Sequence, residues 1–285
     1  MTGVFYQEMV SPQDADCILV GIPWDGTVSG RPGTRFGPQA IRSATLNVED
    51  YSPYLDRDIS DIRIYDAGDI ELPHGDTGAA LDLIRETYAQ LRRLDTKMIV
   101  LGGEHLITLP VIEVLHETYG DHLFVVQFDA HADLREEYLG VQLSHATVMR
   151  NISRSIGIEN TAVIGVRSGT RDEWRMLREH PYFFSEVTSL NVDDFRTLVQ
   201  KKLVGNKIYI TVDLDVFDPG VMPGTGTPEP GGIGFRTFVD LLKSLDGLDI
   251  IGADIVELAP DYDHSGISSA LAATVLRELL LIVTN

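Results

Sequence analysis

The chain has 285 residues, a formal charge of −20 and a content of 44% hydrophobic and 23% charged residues, a balance ordinary for a folded water-soluble domain. The negative excess repels nucleic acid and anionic membrane surfaces, so neither is expected as a partner, while small cations are attracted. Cys17 is the single cysteine; it excludes an internal disulfide, and its apolar setting suits a small buried hydrophobe rather than a nucleophile.

In chain order, the first stretch, MTGVFYQEMVSPQDADC, has no basic segment followed by an apolar one, so no secretory signal is expected and a cytoplasmic location follows as the default. No linker, repeat or change of composition divides residues 1–285, which are expected to form a single domain. Strand-like apolar runs occupy 17–23, 62–68, 98–103, 123–128, 161–167, 207–215 and 248–258, with a weaker run at 181–185. Amphipathic stretches lie at 78–94, 107–119, 170–179, 193–203 and 235–245. Near the end, ALAATVLRELLLIV includes Arg277 and Glu278 and is too short to cross a bilayer; a helix packed on the core is expected. Strands apolar on both faces and alternating with helices predict an α/β fold, three-layer αβα with a central, mostly parallel sheet. In such sheets ligands bind beyond the carboxyl ends of the strands.

The ionisable residues fall at those ends. His105 follows 98–103; Asp129, His131 and Asp133 follow 123–128; Asp213 and Asp215 close 207–215; Glu257 closes 248–258. If the extended conformation continued past Phe128, Asp129, His131 and Asp133 would point to one side. Taken singly, His105 could begin a helix after a Gly-Gly turn, and Asp213 and Asp215 could cap a turn. Taken together, four clustered carboxylates call for a cation, because unpaired carboxylates are rarely buried. Two divalent ions would balance Asp129, Asp133, Asp213 and Asp215, with His105 and His131 as neutral donors. Carboxylates with imidazole and no thiolate suit Mn²⁺ first, with Fe²⁺, Co²⁺, Ni²⁺ and Zn²⁺ left open. Two such ions about 3.5–4 Å apart lower the pKa of a shared water, so the expected chemistry is hydrolysis.

GGEH (102–105), DAHADLR (129–135), LSHATVMR (143–150), DLDVFDPGVMPGTGTPEPGG (213–232) and ELAPDYD (257–263) resemble the ureohydrolase family of arginases and agmatinases. SGRPGTRFGPQAIR (29–42) is similar to its early Gly-rich segment and SGISSALAA (265–273) to its last helix. The resemblance implies the arginase/deacetylase fold, two Mn²⁺ ions, a small cationic guanidino substrate cleaved to urea and an amine, and a homo-oligomer, trimer or hexamer. Position by position, it implies His105, Asp129, His131, Asp133, Asp213 and Asp215 as metal ligands. Glu257 matches the residue that holds the guanidinium, and a carboxylate suits that planar cation through paired hydrogen bonds. Asp133 matches the residue that moves a proton to the leaving nitrogen, and His145 a second transfer or substrate-binding group.

Arginases follow their Asp-x-His-x-Asp motif with side chains that address an α-carboxylate. Here Glu136 and Glu137 follow instead, opposed only by Arg135, and an amine-ended substrate is expected: agmatine, giving putrescine and urea. N1-aminopropylagmatine, giving spermidine, and arginine or another guanidino acid are the alternatives. Glu104 replaces the Asp of the family's usual GGDH, and Ala146 the Gly of its usual SHG; both bear on orientation near the metals. An amide deacetylase on the same fold would use a single Zn²⁺, and an inactive regulator would need none of the ligand positions kept. The 29–42 segment matches no nucleotide-binding fingerprint. His74, His116, His122, His180 and His264 are expected on surfaces or in turns, and Trp24 and Asp25 in core or loop packing.

Overall fold

The computed structural model describes residues 4–8, 10–179, 183–186 and 191–285. Its centre is an eight-stranded sheet built from β1 (Cys17–Ile22), β4 (Ile64–Asp69), β5 (Lys97–Gly102), β6 (Leu123–Phe128), β7 (Thr161–Val166), β8 (Phe183–Glu186), β9 (Lys207–Asp213) and β10 (Ile250–Val256). The order across the sheet is β4-β1-β5-β10-β9-β6-β7-β8, and every neighbouring pair is parallel. A separate antiparallel ribbon pairs β2 (Tyr51–Ser52) with β3 (Arg57–Asp58).

The helices are α1 (Gly37–Thr45), α2 (Thr77–Arg92), α3 (Thr108–Tyr119), α4 (Val148–Ile156), α5 (Arg171–Glu179), α6 (Val192–Leu198), α7 (Phe235–Leu242) and α8 (Ile267–Val283). Successive residues of a strand face opposite sides, and the core divides accordingly. Phe124, Val126 and Phe128 of β6 join a cluster with α1, α6, α7 and α8, whereas Leu123 and Val125 join one with α2, α3, α4 and α5. The expected three-layer αβα arrangement is therefore present, with both faces of the parallel sheet covered as such sheets require.

The seven stronger strand expectations correspond to strands, with ends trimmed by local hydrogen bonding. The 62–68 run starts at Ile64 because Asp58 caps a 3-10 turn, Ile59–Asp61, by accepting from Ser60 N at 2.9 Å. The 207–215 run stops at Asp213, whose carboxylate accepts from Asp215 N at 2.8 Å and starts the turn Leu214–Val216. The weaker 181–185 run overlaps β8, although Pro181 and Tyr182 lie outside the described residues, as does His180. The amphipathic 193–203 stretch is α6 continued by a π turn, Val199–Leu203. Two helices, α1 and α4, lie outside the expected amphipathic stretches; Pro38 in the first turn of α1 presets its φ.

Two features fix the carboxyl end of the sheet. Phe128 at the end of β6 packs edge-on against Phe238 of α7 at 5.2 Å, and Phe217 after β9 lies 5.3 Å from the same ring. Burying each of these rings contributes about 1.5–3 kcal/mol, which anchors the two chain segments that leave the sheet there. Gly103, after β5, allows the loop that follows β1 to come close: a Cβ on it would lie 2.2 Å from the Trp24 carbonyl oxygen. No described helix is long and apolar enough to cross a membrane.

Candidate metal centre and active site

β5, β10, β9 and β6 are four adjacent strands at the middle of the sheet, so the residues at their carboxyl ends are neighbours. Val256 of β10 is level with Asp213 of β9, and Phe128 of β6 with Val212. The extended conformation expected beyond Phe128 does not persist. β6 ends there, and Asp133 adopts a left-handed backbone with φ 53°. Asp129, His131 and Asp133 still converge, through this turn rather than through strand alternation. Glu257 is also left-handed, at φ 66°, and its N–H donates to the Gly103 carbonyl at 2.8 Å. Non-glycine residues held in this region store about 1–3 kcal/mol each and cluster at functional sites.

Asp129 stands between two imidazoles. Its Oδ2 is 3.1 Å from His105 Nδ1 and its Oδ1 is 3.6 Å from His131 Nδ1. His105 Nδ1 also faces Asp133 Oδ2 at 3.2 Å and Asp213 Oδ2 at 3.4 Å, while His131 Nδ1 faces Asp215 Oδ2 at 2.9 Å. The far nitrogen of His105 pairs with Thr211 Oγ1 at 2.9 Å, which orients the ring as a metal-binding histidine requires. The Gln127 amide donates to Asp129 Oδ2 at 2.7 Å. Two donor groups result, His105/Asp129/Asp133 and Asp129/His131/Asp215, with Asp129 common to both.

The charges do not balance within the chain. Asp129, Asp213 and Asp215 are buried, Asp133 nearly so, and His105 Nδ1, also buried, has no hydrogen-bond partner of acceptable geometry. Burial, together with the Asp129 charge, pushes the Asp133 carboxyl up to about 7. Burial, with Asp215 and Asp129 beside it, raises Asp213 well above the ordinary carboxylate range. Burial works against protonated His105 and His131, but the surrounding carboxylates outweigh it and raise both. Carboxylate oxygens and Nδ1 atoms converging in this way are the donor set of hard or borderline divalent ions, so the residues present fit such a group.

The cavity above the cluster is lined by His105, His131, Asp133, His145, Asp213 and Glu257 among others. Asp129 and Asp215 lie against the imidazoles. Glu257 is buried, accepts the His105 backbone N–H at 2.9 Å, and is raised by burial and by the Glu104 charge. His145 begins a turn in which Ser144 and Thr147 cap each other reciprocally. Its ring meets Tyr138 edge-on at 5.5 Å, its Nδ1 is buried without a partner, and burial lowers its pKa to about 4. Ala146 lines the same cavity. All eight residues expected from the sequence are therefore brought together.

Some expectations fail. Glu136 pairs with Arg150 at 3.1 Å and Arg154 at 2.5 Å, and Glu137 is exposed; neither lines the cavity. A carboxylate not expected from the sequence does line it beside Asp133, Asp213 and Glu257: Glu173, on α5, which faces Arg135 Nε at 3.6 Å and accepts from Leu134 N at 3.1 Å. Trp24 and Asp25, by contrast, are placed as expected: Trp24 is packed in the core, and the Asp25 carboxylate is paired with Arg35. Gln127 and Thr211 were overlooked although they carry a legible signal: each is a polar residue two positions before a strand-end carboxylate, hence on the same face. Glu173 and Thr27 carry none, because tertiary contact alone brings them near.

The arginase-family profile matches residues 15–282. The agmatinase of Bacillus subtilis is 41% identical over 98% of this chain and 95% of its own length. The N(1)-aminopropylagmatine ureohydrolase of Thermococcus kodakarensis is 40% identical over 94% of this chain and 90% of its own. A crystal structure of a putative agmatinase from Clostridium difficile superposes with a TM-score of 0.91 at 41% identity, covering 96% of this chain and 99% of that one. The chain belongs to the arginase family.

Proposed function

We propose that this chain is a single-domain hydrolase that cleaves the guanidino group of agmatine to putrescine and urea, a step of polyamine biosynthesis, using two Mn²⁺ ions. The observation that supports this most is the placement of the buried Asp129 between His105 and His131, with Glu257 facing the same cavity. His105, Asp129, Asp133 and Asp213 would hold one ion, and Asp129, His131 and Asp215 the other. Bound there, the ions supply Lewis acidity and bring the pKa of water toward neutrality.

The chain's own residues do the rest. Glu257 receives the guanidinium through paired hydrogen bonds and fixes its carbon over the metal cluster. Once water has added, the leaving amine nitrogen must be protonated; Asp133, at the cluster and open to the cavity, passes that proton. His145, neutral at pH 7, is the second transfer or substrate-binding group in the cavity lining. With Asp133 and Asp213 offset by the ions, Glu257 and Glu173 outnumber Arg135 in the cavity lining, which favours a cationic substrate, and similarity to agmatinases favours one with an amine at its far end. A cytoplasmic homo-oligomer, trimer or hexamer, without nucleic-acid partners, completes the proposal.

Urea release from the Mn²⁺-loaded protein, compared across agmatine, N1-aminopropylagmatine, arginine and guanidinobutyrate, tests it. Agmatine should turn over fastest; equal or faster turnover of arginine would reject the amine-ended assignment.

A further inference from the structure

Glu104 adjoins His105 in sequence but takes no part in the donor cluster. Its carboxylate is buried; Oε2 accepts the Thr27 backbone N–H at 2.8 Å and Oε1 accepts the Thr27 hydroxyl at 2.5 Å. The same hydroxyl oxygen accepts the backbone N–H of His145 at 3.1 Å. Ser29 Oγ lies 3.4 Å from His145 Nε2. The loop after β1 therefore touches His145 at its backbone and at its ring, and Glu104 grips that loop. A carboxylate only accepts hydrogen bonds, so the Thr27 hydroxyl hydrogen is committed to Glu104 and a lone pair is left for the His145 N–H.

We propose that Glu104 and Thr27 are positioning residues that set where His145 stands over the cavity, so that Glu104 acts on the reaction through His145 and not through the metals. The inference rests on the role given to His145 above. The length of the side chain matters: an aspartate would draw the carboxylate back by about 1.5 Å, one C–C bond, and could not meet both Thr27 donors from the same backbone position. Gln in its place would turn an N–H₂ toward one of them.

Thr27→Val keeps the shape and removes the hydroxyl. The expected result is a kcat for agmatine lowered by about tenfold or more with KM changed less than about threefold, since misplacement by about 1 Å acts mainly on the reacting geometry. Metal content by elemental analysis should be unchanged, and Thr27→Ser should restore most of the rate. Glu104→Gln should match the Thr27→Val loss, and the double variant should be no worse than the poorer single one, as expected for residues acting in series. Crystal structures of the wild type and Thr27→Val give a readout free of substrate: a shift of His145 by about 1 Å supports the proposal. Superposable His145 positions, wild-type kcat in Thr27→Val, or metal loss in Glu104→Gln but not in Thr27→Val would overturn it. Because the structural comparison needs no turnover, it decides this point even if agmatine is not the substrate.

Discussion

Charge is buried at two places in this molecule, and they are resolved differently. In α8, Arg277 and Glu278 are buried next to one another, with Arg277 Nη2 2.7 Å from Glu278 Oε1; Ser52 Oγ donates to Glu278 Oε2 at 2.7 Å and Arg277 Nη1 to the Glu49 carbonyl at 2.8 Å. Each guanidinium nitrogen and each carboxylate oxygen there has a partner within the chain. At the ends of β5, β6 and β9, four carboxylates meet two imidazoles, and His105 Nδ1, within 3.4 Å of three carboxylate oxygens, makes no hydrogen bond of acceptable geometry to any of them. A buried pair that closes on itself ties the β2–β3 ribbon and its approach to the last helix. A buried cluster that does not close is a place for something else to bind.

The sharpest test removes one carboxylate from each. Asp213→Asn should abolish metal retention and lower kcat/KM by roughly a thousandfold or more, given the several kcal/mol that metal ions contribute to such transition states. Its metal-free thermal midpoint should equal that of the metal-free wild type where Asp213 is protonated, and exceed it at higher pH, where the wild-type carboxylate ionises beside Asp215 and Asp129; full activity would break the comparison. Glu278→Ala should do the reverse. It strands a buried guanidinium and should cost about 3–5 kcal/mol of stability in denaturant unfolding, while folded protein keeps its metal content. Arg277→Met with Glu278→Leu should recover most of that loss, since replacing a whole buried pair by apolar groups is often neutral.

A smaller effect links the metal site to pH. The folded metal-free chain holds protons on Asp133, pushed up to about 7, and on Asp213, also raised. These groups favour the folded state while protonated, so metal-free stability falls as pH rises from about 4, the unfolded carboxylate value, through about 7. His105 and His131, raised by the same carboxylates, add a loss in the same direction at higher pH. Metal ions prefer the deprotonated ligands, so the midpoint gain on adding Mn²⁺ should grow between about pH 6 and about pH 8, reaching about 3 kcal/mol at a hundredfold excess over Kd. A gain that shrank with pH would mean that protonated groups are not the ones displaced. The smallest effect is expected at the exposed Arg85–Glu117 pair between α2 and α3: Arg85→Ala should shift stability by at most about 1 kcal/mol.

Much of the site was legible because strand periodicity and chemistry reinforce one another. Apolar runs buried on both faces announce a covered parallel sheet, and ionisable residues placed where such runs end announce its ligand-binding edge. His105, Asp129, His131, Asp133, Asp213, Asp215 and Glu257 follow from that pairing, and His145 only from its motif. Glu136 and Glu137 do not line the cavity, because nearness in sequence to Asp133 does not fix direction. The chain turns left-handed at Asp133, and Glu136 leaves toward Arg150 and Arg154 on α4. Helices α1 and α4 escaped notice because their glycine- and motif-rich beginnings mask an amphipathic pattern of little more than two turns.

The sequence by itself determined the alternation of strand and helix, the residues at the strand ends and the excess of carboxylate that calls for divalent cations; these depend on local periodicity and on charge. Only the tertiary structure decided that β5, β10, β9 and β6 lie side by side, that Asp129 is shared by two imidazoles, that Glu173 lines the cavity and that the Glu104–Thr27 pair meets His145. Strand order and long-range contacts depend on how layers pack, and no spacing along the chain encodes them.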